Sequence, residues 1–239
     1  MIQIASYSDI GGRARNEDTV RYVQQGDDRL CLVVADGLGG HGGGEQASGA
    51  AADVICGGWR GEVDREVLTG LILAAHRQVQ SIQTPQCAMK TTVAALTLEP
   101  GRAVWAHAGD SRLYRFLDGA LVFQTRDHSA AQIGVMLGQI TPDQIRFHPD
   151  RNRVLRALGQ DTELTVESAE CPLPSGRHAF LLCSDGFWEY VQEDEMAADL
   201  AAAESPEEWL VKMRERLSQR VPENNDNNTA AAVWVDETI

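Results

Sequence analysis

The chain has 239 residues, of which 43% are hydrophobic, and a net charge of −14 at pH 7. That length and apolar content suit a single globular domain, and the acidic balance argues against nucleic acid or an anionic membrane surface as a partner. Five scattered cysteines without a CxxC pair argue against a disulfide framework or a zinc site. With neither a secretory signal nor a membrane-spanning run, the sequence predicts a cytoplasmic protein.

Predicted strands dominate the chain. Runs rich in valine, leucine and aromatic residues predict strands near residues 2–8, 29–35, 92–98, 103–108, 112–117, 120–125, 164–169, 178–184 and 229–235. Because the strands are grouped and the helices segregated, the order of elements predicts an α+β sandwich rather than a doubly wound parallel sheet.

Three helical segments are predicted. An alanine-rich stretch predicts a helix over about 45–55, and apolar residues at helical spacing predict a second within 63–83. Near the end of the chain, Ser205 is predicted as the N-cap of a third helix, with Pro206 in its first turn and Glu208 closing a capping box.

Aspartates stand at the ends of four predicted strands. Asp36 in "LVVADG" and Asp185 in "LLCSDG" share one context, Asp110 ends "AVWAHAGD", and Asp226 precedes the last strand. If these strand ends converge, the like charges require a cation to stay ionised together. Oxygen donors without paired cysteine or histidine ligands favour Mg²⁺ or Mn²⁺ over zinc.

The stretch after Asp36 is rich in glycine. Six of the eight residues 37–44 are glycine, and the pattern from Gly37 fits G-x-G-x-x-G, a feature of dinucleotide-binding oxidoreductases. Two observations argue against that alternative. Asp36 would place a carboxylate beside a pyrophosphate, and no βαβαβ alternation follows.

Several blocks carry a family resemblance over residues 11–235. "GGRARNED", "VVADGLGGHGGGEQAS", "AHAGDSRLY", "CSDGFWE" and "DNNTAAAVWV" occur in the order of the type 2C metal-dependent Ser/Thr protein phosphatases, the PPM family, and the chain resembles its bacterial stand-alone form. The resemblance implies a four-layer α-β-β-α sandwich, with two mostly antiparallel central sheets flanked by helix pairs. It also implies one catalytic domain over 1–239 and a flap subdomain at about 130–150 that contacts substrate.

The same resemblance implies a metal site. It assigns two Mn²⁺ or Mg²⁺ ions to Asp36, Gly37 (through its carbonyl), Asp185 and Asp226, and it implies attack on phosphorus by a hydroxide that bridges the ions. A third, weaker metal would bind at Asp110 and Asp185. Around these ligands, Arg13 would bind the phosphate, and Glu17 and Asp18 would orient metal-bound water without binding the ions themselves.

Two positions leave alternatives open. Leu38 stands where eukaryotic members carry a histidine proposed as the general acid, and His41 follows three residues later. His41 is therefore either an acid for the leaving group or a residue that shapes the loop. Lys90 replaces a glycine that usually precedes "TT" in the family, and it either aids phosphate capture or points into solvent.

The predicted function is hydrolysis of phosphoserine and phosphothreonine in proteins by a signalling enzyme. The resemblance implies a phosphorylated protein as substrate, an opposing bacterial Ser/Thr kinase as partner, and a monomer. Two alternatives remain at this point. A pseudophosphatase would keep the fold without turnover, although Arg13, Asp36, Asp185 and Asp226 are all present. A phosphatase of small molecules would use the same chemistry on another substrate.

Overall fold

The computed structural model describes residues 1–38 and 43–237, and eleven strands lie in these two ranges. They are β1 Ile2–Asp9, β2 Asp18–Gln25, β3 Arg29–Leu38, β4 Lys90–Thr91, β5 Val93–Glu99, β6 Arg102–Ala108, β7 Arg112–Leu117, β8 Ala120–Gln124, β9 Glu167–Pro172, β10 Gly176–Cys183 and β11 Asn228–Glu237. The helices are α1 Gly44–Gly58, α2 Arg65–Ile82, α3 Ala130–Met136, α4 Asp185–Trp188, α5 Glu193–Ala201 and α6 Pro206–Ser218, with a 3-10 helix at Pro142–Phe147.

The strands form two antiparallel sheets. The first has the order β1-β11-β10-β7-β8, and the second has the order β2-β3-β5-β6-β9, with β4 paired to the end of β3. The strands nearest the middle of each sheet carry continuous apolar runs, because both of their faces are covered.

Three layers of buried side chains hold these elements together. Leu32, Phe180 and Val233 belong to the core between the two sheets. A second core joins α1 and α2 to one sheet through residues such as Ile72, and a third joins α5 and α6 to the other through residues such as Trp209. The predicted four-layer α-β-β-α sandwich is therefore confirmed. In the described part of the chain, no helix has the length and apolarity needed to cross a bilayer.

The structure corrects three details of the predicted elements. Strand β2 was not predicted, because it is a sheet edge whose side chains are mostly half-buried or exposed and polar. The strand predicted at 164–169 begins at Glu167 and continues to Pro172. In α6, the Ser205 hydroxyl accepts the Glu208 N–H at 3.1 Å as predicted. The capping box is wrong, however, because the Glu208 carboxylate accepts the N–H of Glu204 instead.

Candidate metal centre

The ends of strands from both sheets meet at one cleft of about 440 Å³. Asp36 lies near the end of β3 in one sheet, while Asp185 directly follows β10 and Asp226 shortly precedes β11 in the other. All three line the cleft, together with Arg13 and Glu17. The fold therefore brings together carboxylates that are as far apart in sequence as residues 17 and 226.

Asp18 lies beneath this cleft as a buried bridge between the sheets. It is the cross-strand partner of Asp36 in the β2–β3 ladder, so the two residues enter the site side by side. From the other sheet, the Ser184 hydroxyl donates to the Asp18 carboxylate at 2.6 Å. Because Ser184 immediately precedes Asp185, this hydrogen bond fixes the two strand ends relative to each other.

The electrostatics of the site favour a cation. Burial raises the pKa of Asp36 and of Asp185 well above its usual range, and the neighbouring carboxylates raise both further. Burial likewise raises the pKa of Asp18 to about 6 and that of Asp110 to about 7. Such values describe carboxyl groups that lack a sufficient counter-charge.

Orphaned oxygens support the same conclusion. One carboxylate oxygen each of Asp18, Asp110 and Asp185 is buried and has no hydrogen-bond partner within the described ranges. Buried polar atoms are normally paired, so these three call for a further partner. Because the donors are all carboxylate oxygens, the residues present fit a hard divalent ion such as Mg²⁺ or Mn²⁺.

Position 37 requires glycine because the end of β3 contacts the start of α1. A Cβ atom at Gly37 would lie 2.2 Å from the backbone oxygen of Gly44, the first residue of α1. The steric requirement for glycine therefore comes from α1 packing against the end of β3. The predicted metal contact of the Gly37 carbonyl is a separate matter and stays a prediction.

Arg13 and Glu17 form one rim of the cleft. The Arg13 guanidinium donates to the Asp226 carboxylate at 2.8 Å, and about half of the Arg13 side chain is exposed. Glu17 lies against the N-terminus of α1, where burial raises the pKa of its carboxyl. Arg13 is thus held at the carboxylates with its remaining donors available to a ligand.

Asp110 lies behind the cleft rather than on its wall. Only 2% of it is exposed, and its backbone oxygen accepts the indole N–H of Trp188 at 2.9 Å. Two residues further on, the buried guanidinium of Arg112 makes a two-pronged ion pair with Asp127 and stacks on the Trp188 ring. Asp110 is therefore part of a rigid buried layer under Asp185.

Lys90 and His41 are the two positions for which the sequence left alternative roles open. Lys90 is half-buried on β4 opposite Leu38, and of this cross-strand pair only Leu38 lines the cleft as the described residues define it. His41 lies outside the described residues. Its role as an acid or as a loop-shaping residue stays a prediction.

Three further residues at the cleft were missed by sequence reasoning. Asn152 and Asn227 line its wall, while Glu189 lines an adjoining pocket that shares Asp185 and Asp226 with the cleft. Glu189 lies one helical turn after Asp185, and its carboxylate accepts from Arg151 at 2.6 Å. Burial raises the pKa of Glu189, as it does for the predicted carboxylates. The four-residue spacing of Glu189 from Asp185 was the sequence signal available, because it places both side chains on the same side of a helix that follows β10.

One cluster elsewhere has the residue types of a metal site. Among the described residues, His107, His128 and Glu167 are the three whose ligand atoms come within 4.8 Å of one another. The two imidazoles are stacked within 6° of parallel, with centroids 4.6 Å apart, so an ion in the plane of one ring lies outside the plane of the other. His128 also accepts the Gly109 N–H at Nδ1, which leaves the proton on Nε2. We therefore assign this cluster a structural role.

The cleft has the features of a metal-dependent phosphate-ester hydrolase: acidic metal ligands with an arginine at their edge. A family model described as protein phosphatase 2C matches residues 7–225. The chain therefore belongs to the protein phosphatase 2C family. The predictions of the family and of a metal-dependent Ser/Thr phosphatase are confirmed.

Individual relatives agree with this assignment. The serine/threonine phosphatase stp of Listeria welshimeri is 31% identical over 194 residues, which is 77% of this chain and 77% of that protein. The serine/threonine phosphatase PstP/Ppp of Mycobacterium tuberculosis superposes with a TM-score of 0.82 over 99% of both chains, at 29% identity. A structure of the PstP catalytic domain in complex with two manganese ions gives a TM-score of 0.80 over 99% of both chains, at 28% identity.

Proposed function

We propose that Asp36, Gly37, Asp185 and Asp226 hold two Mn²⁺ or Mg²⁺ ions in the cleft and that the chain uses them to hydrolyse phosphoserine and phosphothreonine in proteins. The observation that carries this proposal is the convergence of buried carboxylates with raised pKa and orphaned oxygens. When bound, such ions supply Lewis-acid activation of water and neutralise the charge of the phosphoryl group.

Arg13 is the residue that binds the substrate phosphate. Its planar guanidinium can donate to two phosphoryl oxygens at once, and its contact with Asp226 places it at the edge of the carboxylate cluster. Binding at this position brings the phosphorus into the cleft that Asp36 and Asp185 also line. The half-exposed state of Arg13 allows an incoming phosphoester to reach it.

Glu17 and Asp18 orient water at the site. The Asp18 carboxylate is held by Ser184 on one oxygen, while its other oxygen is free among the described residues to accept from water. Glu17 also orients water, from the rim of the cleft. A third, weaker metal at Asp110 and Asp185 is supported by the orphaned oxygen that each presents and by the charge of Asp110, which raises the pKa of Asp185 further.

The wider setting follows from the chemistry. A cytoplasmic, monomeric enzyme that removes phosphate from protein serine and threonine residues opposes a Ser/Thr kinase.

In the predicted flap, α3 and the 3-10 helix expose Met136 and Phe147, whose exposed fractions are 73% and 78%. We propose that this flap contacts the substrate protein beside the cleft.

Hydrolysis of p-nitrophenyl phosphate and of a phosphothreonine peptide, measured with EDTA, Mg²⁺ or Mn²⁺, tests the proposal. We expect activity only with a divalent ion, and we expect Asp36→Asn and Asp185→Asn to lower kcat about a thousand-fold. Asp161→Asn, at an exposed position away from the cleft, serves as the matched control.

The outcomes separate the alternatives. Turnover of p-nitrophenyl phosphate but not of the peptide would favour a small-molecule phosphatase. Metal binding by the folded chain without turnover of either substrate would favour a pseudophosphatase. Activity that persists in EDTA, or in both aspartate variants, would refute the metal centre.

A further inference from the structure

Asn227 is a buried amide that the established activity leaves unexplained. Only 6% of it is exposed, and it lies at the base of the cleft next to Asp226. Its side chain belongs to the segment that leads into β11, yet all of its hydrogen bonds run to residues 10–17, which we call the Arg13 loop.

The Asn227 carboxamide is bound on three sides by that loop. Its oxygen accepts the N–H of Glu17 at 2.8 Å. Its nitrogen donates to the carbonyls of Ile10 at 2.8 Å and of Arg15 at 2.9 Å. One amide therefore bridges both ends of the Arg13 loop and uses both of its donors as well as its acceptor.

The link from Asn227 to Arg13 is short. The Ile10 carbonyl that accepts from Asn227 also accepts the backbone N–H of Arg13, at 3.3 Å, which closes the turn that carries the arginine. The neighbouring N–H of Gly12 donates to the carbonyl of Asn225 at 3.1 Å. The turn is thus pinned to the same short segment that carries Asp226, the ion-pair partner of Arg13.

Backbone packing shows how closely the two segments approach. Gly11 has a φ of +58°, and a Cβ atom there would lie 2.3 Å from the carbonyl oxygen of Asp226. The loop therefore passes directly over the Asp226 backbone. The Asn227 side chain is the polar group on the inside of this contact, and it hydrogen-bonds the backbone groups of Ile10, Arg15 and Glu17.

We propose that Asn227 is a positioning residue for phosphate binding, which sets the place of the Arg13 guanidinium relative to the aspartates. This inference rests on the proposed role of Arg13 as the phosphate ligand. It implies that loss of the Asn227 amide weakens phosphate capture while the carboxylates keep their arrangement. The contact of the residue with the Asp226 carboxylate is made by the Asn227 backbone N–H, which a side-chain substitution leaves in place.

Asn227→Ala tests the inference, with inorganic phosphate as a competitive probe in p-nitrophenyl phosphate assays. We expect the inhibition constant of phosphate and KM to rise about ten-fold, corresponding to loss of the two donor contacts, while kcat changes by less than about three-fold. The Mn²⁺ concentration that gives half-maximal activity should stay the same. We also expect hydrogen exchange to accelerate at the backbone amides of residues 10–17 and not across the sheets.

Gln83→Ala is a matched control, because the Gln83 amide also donates to two backbone carbonyls, those of Met89 and Gly159, but lies away from the cleft. This variant should leave phosphate inhibition unchanged. Should Asn227→Ala not fold, the wild type decides: inorganic phosphate with Mg²⁺ should slow exchange of the Glu17 amide, whose acceptor is the Asn227 oxygen.

An unchanged phosphate inhibition constant in a folded Asn227→Ala variant would overturn the inference, as would an unchanged Glu17 exchange rate in the wild type. Equal losses in kcat and phosphate affinity would also overturn it, since they indicate general damage. These results differ from failure of the proposed function, in which the wild type itself lacks metal-dependent turnover.

Discussion

The two rims of the cleft are built from different contacts. On one side, the Arg13 loop is pinned by buried backbone and amide hydrogen bonds, with Asn227 at their centre. On the other side, Asn152 and Val154 line the wall directly after the flap, whose helices expose large apolar side chains. The polar groups of the first rim are hydrogen-bonded to one another, whereas the second rim exposes apolar side chains to solvent.

The flap is attached through apolar side chains and arginines. Ala131 and Ile145 are buried in the core that joins α5 and α6 to their sheet. Arg146 of the 3-10 helix donates to the carbonyl of Val191 at 3.1 Å and pairs with Glu193, while Arg151 pairs with Glu189. These contacts hold the inner side of the flap, while Met136 and Phe147 stay exposed. Exposed apolar surface next to a binding cleft is a common feature of protein interaction sites.

The difference indicates that the two rims bind different parts of the substrate. A phosphoryl group has the same shape and charge in every substrate, so the residues that bind it gain from rigid placement. The polypeptide around the phosphorylated residue varies, and an exposed apolar surface can accommodate different side chains. We therefore expect changes on the Arg13 side to affect all substrates alike and changes on the flap to affect protein substrates alone.

Among the changes that test this comparison of the two rims, the largest effect is expected from Arg13→Ala. Removing the guanidinium takes away a charged donor from the phosphate and leaves Asp226 without its ion-pair partner, so KM should rise about 10- to 100-fold for both p-nitrophenyl phosphate and a phosphothreonine peptide. Steady-state kinetics on both substrates measures this. Arg15→Ala, at the next exposed arginine of the loop, is the control. A rise confined to the peptide would contradict the proposed role.

The second prediction concerns the pH dependence of the metal-free protein. The pKa of Asp110 is raised from about 3.9 to about 7 by burial, so its protonated form stabilises the fold below pH 4 and that contribution is lost as the pH rises through 7. In EDTA, we expect Asp110→Asn to gain about 4 °C in Tm relative to wild type between pH 4 and pH 8. Thermal melts across this range measure the gain, and a difference in Tm that stays constant with pH would show that the pKa of Asp110 is not raised.

The sequence predicted the carboxylates that meet at the cleft and missed Asn227, which holds the Arg13 loop, for a physical reason. Asp36 and Asp185 each end an apolar strand in an Asp-Gly context, and such local patterns are legible in one sequence. The contacts of Asn227 with the Arg13 loop join residues more than 200 positions apart. Nothing local distinguishes this amide from its neighbours Asn224, Asn225 and Asn228.

The same limit explains the errors in the fold. Strand β2 pairs on one edge only, so its alternating polar residues carry little apolar signal. Glu208 fits the spacing of a capping box, but its carboxylate finds the N–H of Glu204 because the chain before Ser205 turns toward it. Local propensity predicted the longer strands and the helices α1, α2 and α6 correctly, since their apolar faces are buried in the three cores. The short helices α3, α4 and α5 were not predicted.

The smallest effect is expected from the flap, and it tests the comparison most directly. Replacing Met136 and Phe147 together by serine removes exposed apolar surface, so the fold should keep its Tm within about 2 °C. If this surface packs against the substrate polypeptide, KM should rise about three-fold for a phosphorylated protein and stay unchanged for p-nitrophenyl phosphate. Val122→Ser, at an exposed apolar position on β8, is the control. An equal change in KM for both substrates would show that the flap takes part in phosphate binding. The two rims would then act on the same part of the substrate, the phosphoryl group, and the proposed difference between them would be wrong.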